Sequence, residues 1–195
     1  SGLPLKNGTY KGVRGKSRIL IEDDFVKGGT LPSNEFAIYN ENFATNYASN
    51  ANEITIEDII LEFNFDTAIA TPIEAVLGLK KKKKGVLRNV DIIINTVNPI
   101  YEVGFDFYAA FKNIEIENVT VYMNTNHTAG GNWIRNYSSD YTGASVCENI
   151  KINNLKITKN CGDEHLAIYG WHNTIKNVEI DGLYLEQQTG VTVGM

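Results

Sequence analysis

The sequence predicts an all-β fold, a right-handed parallel β-helix with three strands in each coil. Two observations carry this prediction. A short apolar pattern recurs along the chain with constant internal spacing, and the distance between its copies varies. A structural unit that repeats with loops of different length between its copies is typical of a solenoid, in which each unit stacks on the one before it.

The recurring unit is one apolar pair, a bend residue and a second apolar pair. Its copies begin at Ile54, Ile114, Ile150 and Val178, and a degraded copy begins at Val90. Alternation within each pair puts both apolar side chains on one face of a short strand. Between the pairs the apolar spacing jumps to three, so the chain must bend there to keep the same face inward.

The bend residues are of types that tolerate a left-handed backbone: Asp58, Asn118, Asn154 and Gly182. Stacked coils would align Asn118 with Asn154, and ladders of asparagine side chains stabilise parallel stacks. We therefore expect the apolar positions of every copy to be buried in one continuous core, with the bend residues at one corner.

A third strand per coil is predicted between the units, over 103–107, 166–168 and 191–193, where apolar residues alternate again. A leucine-rich repeat is the alternative fold, because residues 152–160 also match its L-x-x-L-x-L-x-x-N template. The irregular period, the additional strand and the lack of a helical segment in each repeat favour the β-helix.

One insertion has helical signals. Residues 71–74 combine a threonine N-cap, a proline at the first helical position and a capping-box glutamate. Lysines at 80–84 suit the negative end of a helix dipole, and Gly85 is a plausible stop. We expect residues 72–84 to form a short helix that protrudes between coils, with its lysines in solvent.

Composition narrows the protein class. The 195 residues fit one domain, 43% are hydrophobic and 21% are charged, which is ordinary globular composition. The net charge of −5 gives no indication of a nucleic-acid partner. No apolar run approaches the ~18 residues that a membrane helix needs, so no membrane partner is expected. The start Ser1-Gly2 looks like a cleavage scar, and we expect residues 1–195 to be one domain of a longer chain.

No metal or cofactor is expected. Cys147 and Cys161 form neither a CxxC pair nor a disulfide framework, and they are interpreted as reduced thiols, which fits assembly in a cytoplasm. His127 and His172 do not have the spacing of metal ligands.

Candidate catalytic residues follow the copies of the repeat that begin at Ile114 and Ile150, about one coil apart. Asp140 ends the run Ser-Ser-Asp, and Asp163 and Glu164 lie in Gly-Asp-Glu-His-Leu-Ala-Ile. Over residues 136–194 the chain resembles polygalacturonases and related tailspike hydrolases, glycoside hydrolase family 28, in the pectate-lyase-like β-helix superfamily. That family carries Asn-Thr-Asp, then Gly-Asp-Asp-Cys-Ile-Ala-Ile, then Gly-His-Gly. Residues 189–194 have threonine at the position of the family's histidine.

The resemblance implies that Asp140, Asp163 and Glu164 are catalytic carboxylates of a glycoside hydrolase. Inverting glycosidases use one carboxylic acid to protonate the leaving oxygen and one to activate water, ~6.5–9.5 Å apart. Coils stack at ~4.8 Å, so we expect Asp140 and Asp163 on one outer face, with their carboxyl groups about 5–10 Å apart. The alternative is that Asp163 and Glu164 form a solvated turn.

Aromatic and basic residues cluster near these acids. Trp133, Arg135 and Tyr137 share one strand face by alternation, and Tyr169 and Trp171 lie close to the acids in sequence. Sugars stack on aromatic rings, and the arginine fork suits uronate or phosphate. The predicted substrate-binding residues are Trp133, Arg135, Tyr137, His165, Tyr169 and Trp171. Alternatively, the aromatic residues fill stacks or pack against a partner subunit.

The resemblance implies a carbohydrate-active protein of a phage tail. Residues 8–12 and 34–40 are similar to segments of phage tailspikes and preneck appendages. We expect an appendage that binds and hydrolyses a bacterial surface polysaccharide or teichoic acid, and that belongs to the virion tail after assembly in the host cytoplasm. Exposed strand edges favour a homotrimer. The alternatives are a non-catalytic receptor-binding or shaft module, a polysaccharide lyase or uronate epimerase, and a secreted bacterial enzyme.

Overall fold

The computed structural model describes residues 3–22, 36–40, 53–65, 75–80, 83–96, 102–108, 111–125, 130–137, 146–160, 165–171 and 174–188. Every regular element among them is a β-strand. The strands are β1 (Leu3–Leu5), β2 (Gly8–Lys11), β3 (Arg18–Ile21), β4 (Phe36–Asn40), β5 (Glu53–Glu57), β6 (Ile60–Phe65), β7 (Ala75–Lys80), β8 (Lys84–Arg88), β9 (Asp91–Thr96), β10 (Glu102–Tyr108), β11 (Asn113–Thr125), β12 (Gly130–Tyr137), β13 (Val146–Lys159), β14 (Ala167–Trp171) and β15 (Thr174–Gln187).

The strands wind into a right-handed parallel β-helix, as the repeat predicts. One sheet has the order β1-β4-β7-β10-β12-β14, so each of its strands comes from the next coil. The other strands form a second sheet that bends at one corner into two faces, with β13 and β15 stacked on β11. All the strand pairs are parallel, which is the hydrogen-bonding pattern of a solenoid with three faces. No helix occurs in any repeat among the described residues, which excludes the leucine-rich repeat there.

The predicted corner is present and its ladder is longer than the repeat alone indicated. Asp58, Asn89, Asn118 and Asn154 all have φ between 52° and 60°, and Gly182 has φ 71°. Each amide donates to the residue below it, with Nδ2 to Oδ1 distances of 2.9 Å for Asn89 to Asp58, 3.2 Å for Asn118 to Asn89 and 2.9 Å for Asn154 to Asn118. The side chains therefore stabilise the one backbone conformation that the bend requires.

The core is continuous through the middle of the stack. The inward positions of β11 (Ile114, Ile116, Val119 and Val121) and their partners in β13 (Ile150, Ile152, Leu155 and Ile157) are at most 1% exposed. The corresponding positions of β15 were also predicted to be buried, and this part is wrong. They are 37–46% exposed: Val178, Ile180, Leu183 and Leu185. Among the described residues β15 pairs with β13 on one edge only, so no further strand covers its inward side chains.

The inserted helix predicted over 72–84 is wrong. Residues 75–80 form β7, and 84–88 form β8, which begins the next face. Strand pairing outweighs the local helix-capping residues here. Leu77 and Leu79 pair with Phe105 and Phe107 of β10 and are each 1% exposed. Gly78 also disfavours a helix interior. Residues 71–74, 81 and 82 lie outside the described residues.

The third strand of each coil is found where it was predicted over 103–107 and 166–168, in β10 and in the approach to β14. Residues 191–193 lie outside the described residues. The same sheet also contains β1, β4, β7 and β12, which the repeat did not identify. Cys147 is a buried free thiol, and burial raises its pKa to about 11. Cys161 lies outside the described residues.

Candidate functional site

The outer surface of the first sheet carries the predicted binding residues. In β12, Ile134 is buried inward and the side chains of Trp133 and Arg135 point outward, as alternation requires. Parallel pairing puts Ala167 of β14 beside Trp133 and Tyr169 beside Arg135. Trp133, Arg135 and Tyr169, three of the six residues predicted to bind substrate, therefore lie on one surface of two neighbouring strands.

Arg135 is held by its neighbours on this surface. Its guanidinium carbon lies 4.8 Å from the ring centre of Tyr108 and 4.5 Å from that of Trp133. Its Nε donates to both carboxylate oxygens of Asp106, at 3.1 Å and 2.9 Å, and a terminal nitrogen bonds the same carboxylate. We call Tyr108, Trp133, Arg135 and Tyr169 the outer platform.

The buried carboxylate of Asp106 accounts for the position of the Arg135 guanidinium. Its side chain is fully buried although it lies on the outward side of β10, between inward Phe105 and Phe107. A buried carboxylate needs a paired, hydrogen-bonding cation, and the planar fork of Arg135 meets that need. The charge of Arg135 is thus compensated inside the molecule.

Asp106 and Tyr108 were not among the residues that the sequence singled out. The available signal was the alternation Val103-x-Phe105-x-Phe107, which puts Asp106 and Tyr108 on the face opposite the phenylalanines. It could not have shown that Asp106 pairs with Arg135, because that contact depends on the register between strands 29 residues apart.

A bulge sits below the platform, where β10 has two residues opposite one residue of β12. Asn132 fills it from inside: the amide of Phe105 donates to its Oδ1 at 3.2 Å, and its Nδ2 donates to the carbonyl of His165 at 3.1 Å. A Cβ on Gly104 would lie 2.5 Å from Asn132 Oδ1, so the bulge depends on this glycine. These contacts set the start of β14 relative to β12.

Tyr137 and Trp171 end β12 and β14 and pair with each other in register. Their side chains lie outside the described residues, so their predicted part in binding stays a prediction.

His165, one of the residues predicted to bind substrate, has a partly buried imidazole. Its Nε2 is buried without a hydrogen-bond partner among the described residues. Burial lowers its pKa, the nearby charge of Lys159 adds to that effect, and a hydrogen bond to the backbone of Glu186 opposes it. Both neighbours belong to the second sheet, so the imidazole packs toward the corner between the sheets.

The three predicted catalytic carboxylates, Asp140, Asp163 and Glu164, lie outside the described residues. The positions of β12 and β14 nevertheless restrict the geometry of a site that uses two of these acids. Asp140 follows the end of β12 and Asp163 precedes the start of β14, which are opposite ends of two parallel strands. Tyr137 and Ala167 are four residues apart in that register, or about 13 Å at ~3.3 Å per residue. A two-acid site therefore requires both connecting segments to reach toward each other across the strands.

No group of three or more His, Cys, Asp and Glu side chains among the described residues is arranged to hold a metal ion. Within the same part of the chain, no helix has the length and apolarity needed to cross a membrane.

The fold is recognised from the geometry alone. Comparison of the sequence with protein-family models finds no match, and neither does comparison with curated proteins or with solved structures. The chain is therefore assigned to the parallel β-helix architecture by its strand topology, and its resemblance to tailspikes and polygalacturonases supports a proposal of function only.

Proposed function

We propose that this chain is a phage tail appendage that binds a bacterial surface polysaccharide or teichoic acid through its outer platform. The observation that carries the proposal is the outward pair of Trp133 and Tyr169 on neighbouring strands, with Arg135 held between aromatic rings. Rigid aromatic side chains contribute large contact areas at low entropic cost, and sugar rings stack on them.

The charge of the platform favours one kind of sugar. Because Asp106 compensates the guanidinium of Arg135, the surface offers aromatic faces rather than an unpaired cation. We expect neutral sugar rings to bind more tightly than uronates or glycerol phosphates.

Binding is tested by measuring the affinity of purified O-antigens, capsular polysaccharides and teichoic acids for immobilised protein. Trp133→Ala and Tyr169→Ala should each weaken binding of the recognised glycan about tenfold, the usual loss for a central aromatic contact. Tyr184→Ala is the matched control, because Tyr184 is an exposed aromatic residue on the second sheet. Loss of binding in the control alone, or no glycan bound at all, would contradict the proposal.

The second part of the proposal is hydrolysis of the bound glycan by Asp140, Asp163 and Glu164. Asp163→Asn should abolish release of reducing ends and leave glycan binding unchanged. Full activity in this variant would remove Asp163 from the mechanism. A product with ultraviolet absorbance from an unsaturated sugar would indicate a lyase instead.

A non-catalytic receptor-binding or shaft module is the second candidate. It is favoured by one observation. The last residue of β12 and the first residue of β14 lie at opposite ends of these two parallel strands. Binding without any cleavage of the recognised glycan would make it the better description. A homotrimer in the virion tail is part of the same proposal, with a secreted bacterial enzyme as the alternative.

A further inference from the structure

The carboxylate of Asp106 lies beneath the outer platform and is fully buried. Its neighbours in register are Gly78 of β7 and Trp133 of β12, neither of which carries a charge. A buried carboxylate without a cation would be costly, so a compensating charge has to come from another position on the sheet. It comes from Arg135, which lies on the diagonal, two residues beyond Trp133 in β12.

This diagonal contact determines where the arginine side chain points. The residue directly opposite Arg135 is Tyr108, and the guanidinium reaches back over its ring to Asp106. The side chain of Arg135 is therefore only 12% exposed, although it starts on the outward side of β12. A long cationic side chain on such a surface would otherwise extend its charged group into water. Asp106 thus holds the guanidinium down in the surface, between the rings of Tyr108 and Trp133.

The same contact occupies the edge of the guanidinium that could bind an anion. Nε of Arg135 donates to both carboxylate oxygens of Asp106, and the terminal nitrogen Nη2 bonds the same carboxylate. Two adjacent nitrogens on one edge of the planar fork are the arrangement with which arginine binds a carboxylate or phosphate of a ligand. Asp106 therefore fills, from inside the protein, a position that a uronate or a phosphate group would take from outside.

A purely structural role for the ion pair is the weaker explanation. β10 and β12 are already joined by parallel pairing on both sides of the bulge. A buried ion pair is often no more stabilising than apolar side chains of the same volume, so the strands do not need it to stay together. The pair is better explained by its effect on the platform, where it leaves a flat guanidinium between aromatic rings and cancels its charge.

We propose that Asp106 is the specificity-determining residue of the outer platform, and that it acts through Arg135 to exclude glycans with uronate or phosphate groups. This inference rests on the proposed function, the binding of a glycan at the platform. An anionic sugar that meets the neutral pair loses hydration of its own charge and gains no net cation. Without the charge of Asp106, the platform carries one more positive charge, and the edge of Arg135 that the acid occupied can bind the ligand anion.

The test measures affinity for two probes that share one sugar backbone and differ in charge, polygalacturonate and its methyl ester. Asp106→Asn keeps the shape of the side chain and removes its charge. The ratio of polygalacturonate affinity to ester affinity should rise at least about tenfold over the wild type, the size of one hydrogen-bonded contact with a charged group. The gain should shrink as salt is added, because it is electrostatic. A purely structural role would lower both affinities together and leave the ratio unchanged.

Two further variants make the test specific. Asp106→Asn/Arg135→Gln removes both charges and should return the ratio of the two affinities to the wild-type value. Glu117→Gln is the matched control, because Glu117 also pairs with an arginine, Arg88 at 2.8 Å, but on the second sheet; its ratio should equal that of the wild type. Circular dichroism and urea midpoints establish that each variant is folded. Asp106→Ser, which leaves room for a water beside the guanidinium, replaces Asp106→Asn if that variant is not.

Three results would overturn the inference. If Asp106→Asn gains no affinity for polygalacturonate, the acid does not set the specificity, even where Trp133→Ala shows that the platform binds a glycan. An equal gain in Glu117→Gln would show that the net charge of the chain decides. Loss of the fold in both Asp106→Asn and Asp106→Ser would assign the acid to stability. The proposed function fails by a separate result, glycan binding that Trp133→Ala and Tyr169→Ala leave unchanged.

Discussion

The corner ladder gives the sharpest test of the fold, through replacement of Asn118. This residue has φ 52°, donates Nδ2 to Asn89 at 3.2 Å and accepts from Asn154 at 2.9 Å. Asn118→Ala removes both side-chain hydrogen bonds, about 0.5–1 kcal/mol each at a partly exposed site. It also puts a residue with a Cβ and no compensating polar group in the left-handed region, at about 1–2 kcal/mol. We expect a loss of about 2–4 kcal/mol in the free energy of unfolding.

Asn118→Gly separates the two contributions. Glycine loses the same hydrogen bonds but adopts positive φ without strain, and it adds about 0.5–1 kcal/mol of backbone entropy cost. The expected loss is about 1.5–3 kcal/mol, smaller than the loss of about 2–4 kcal/mol expected for alanine. Asn153→Ala is the matched control, an exposed asparagine one residue from the ladder, with an expected effect within about 0.5 kcal/mol.

The assay is equilibrium urea unfolding followed by far-ultraviolet circular dichroism and tryptophan fluorescence. Coincident transitions and unchanged m-values are needed before midpoints are converted into free energies. Equal destabilisation by alanine and glycine would refute the role of the left-handed backbone. Stability within about 0.5 kcal/mol of the wild type in both variants would refute the ladder itself.

Three further predictions concern buried groups. Gly104→Ala should lower the urea midpoint by an amount equivalent to about 1–3 kcal/mol, because its Cβ would meet Asn132 Oδ1 at 2.5 Å; an unchanged midpoint would show that the bulge repacks. In a Cys161→Ser background, Cys147, with its pKa raised to about 11 by burial, should react with a thiol reagent at pH 8 only after unfolding. The pKa of His165 is lowered from 6.5, so the unfolded state takes up the proton first. The melting temperature should therefore fall as pH drops below 6.5, and His165→Gln should reduce that slope.

The inward half of the fold could be predicted from the sequence and much of the outward half could not. Inward positions repeat because every coil closes on the same core. An apolar residue at Ile114 therefore predicts an apolar residue at the paired position in the next coil, which is Ile150. The exposed residues of β15 show the limit of that reasoning, because burial also requires a neighbour on the far side. The pattern specifies which side chains point inward, and the stack decides whether they are covered.

The incorrect helix has a similar cause. The capping signals of residues 71–74 are local, whereas β7 is determined by pairing with β4 and β10, which are distant in sequence. A segment of Ala, Val and Leu with one glycine suits either structure locally. Its hydrophobic contacts with Phe105 and Phe107 decide for the strand.

The two outer surfaces differ in a way that bears on where a glycan would bind. On the second sheet, acids and bases of neighbouring strands pair with one another: Lys84 lies 2.8 Å from Glu115, and Arg88 lies 2.8 Å from Glu117. A sugar hydroxyl would have to compete with these ion pairs for each polar group. On the first sheet, Arg135 and Asp106 satisfy each other, and the rings of Trp133 and Tyr108 flank the pair. The polar groups there are already paired beneath the aromatic side chains, so a sugar could stack without breaking an ion pair, and this difference favours the outer platform as the binding surface.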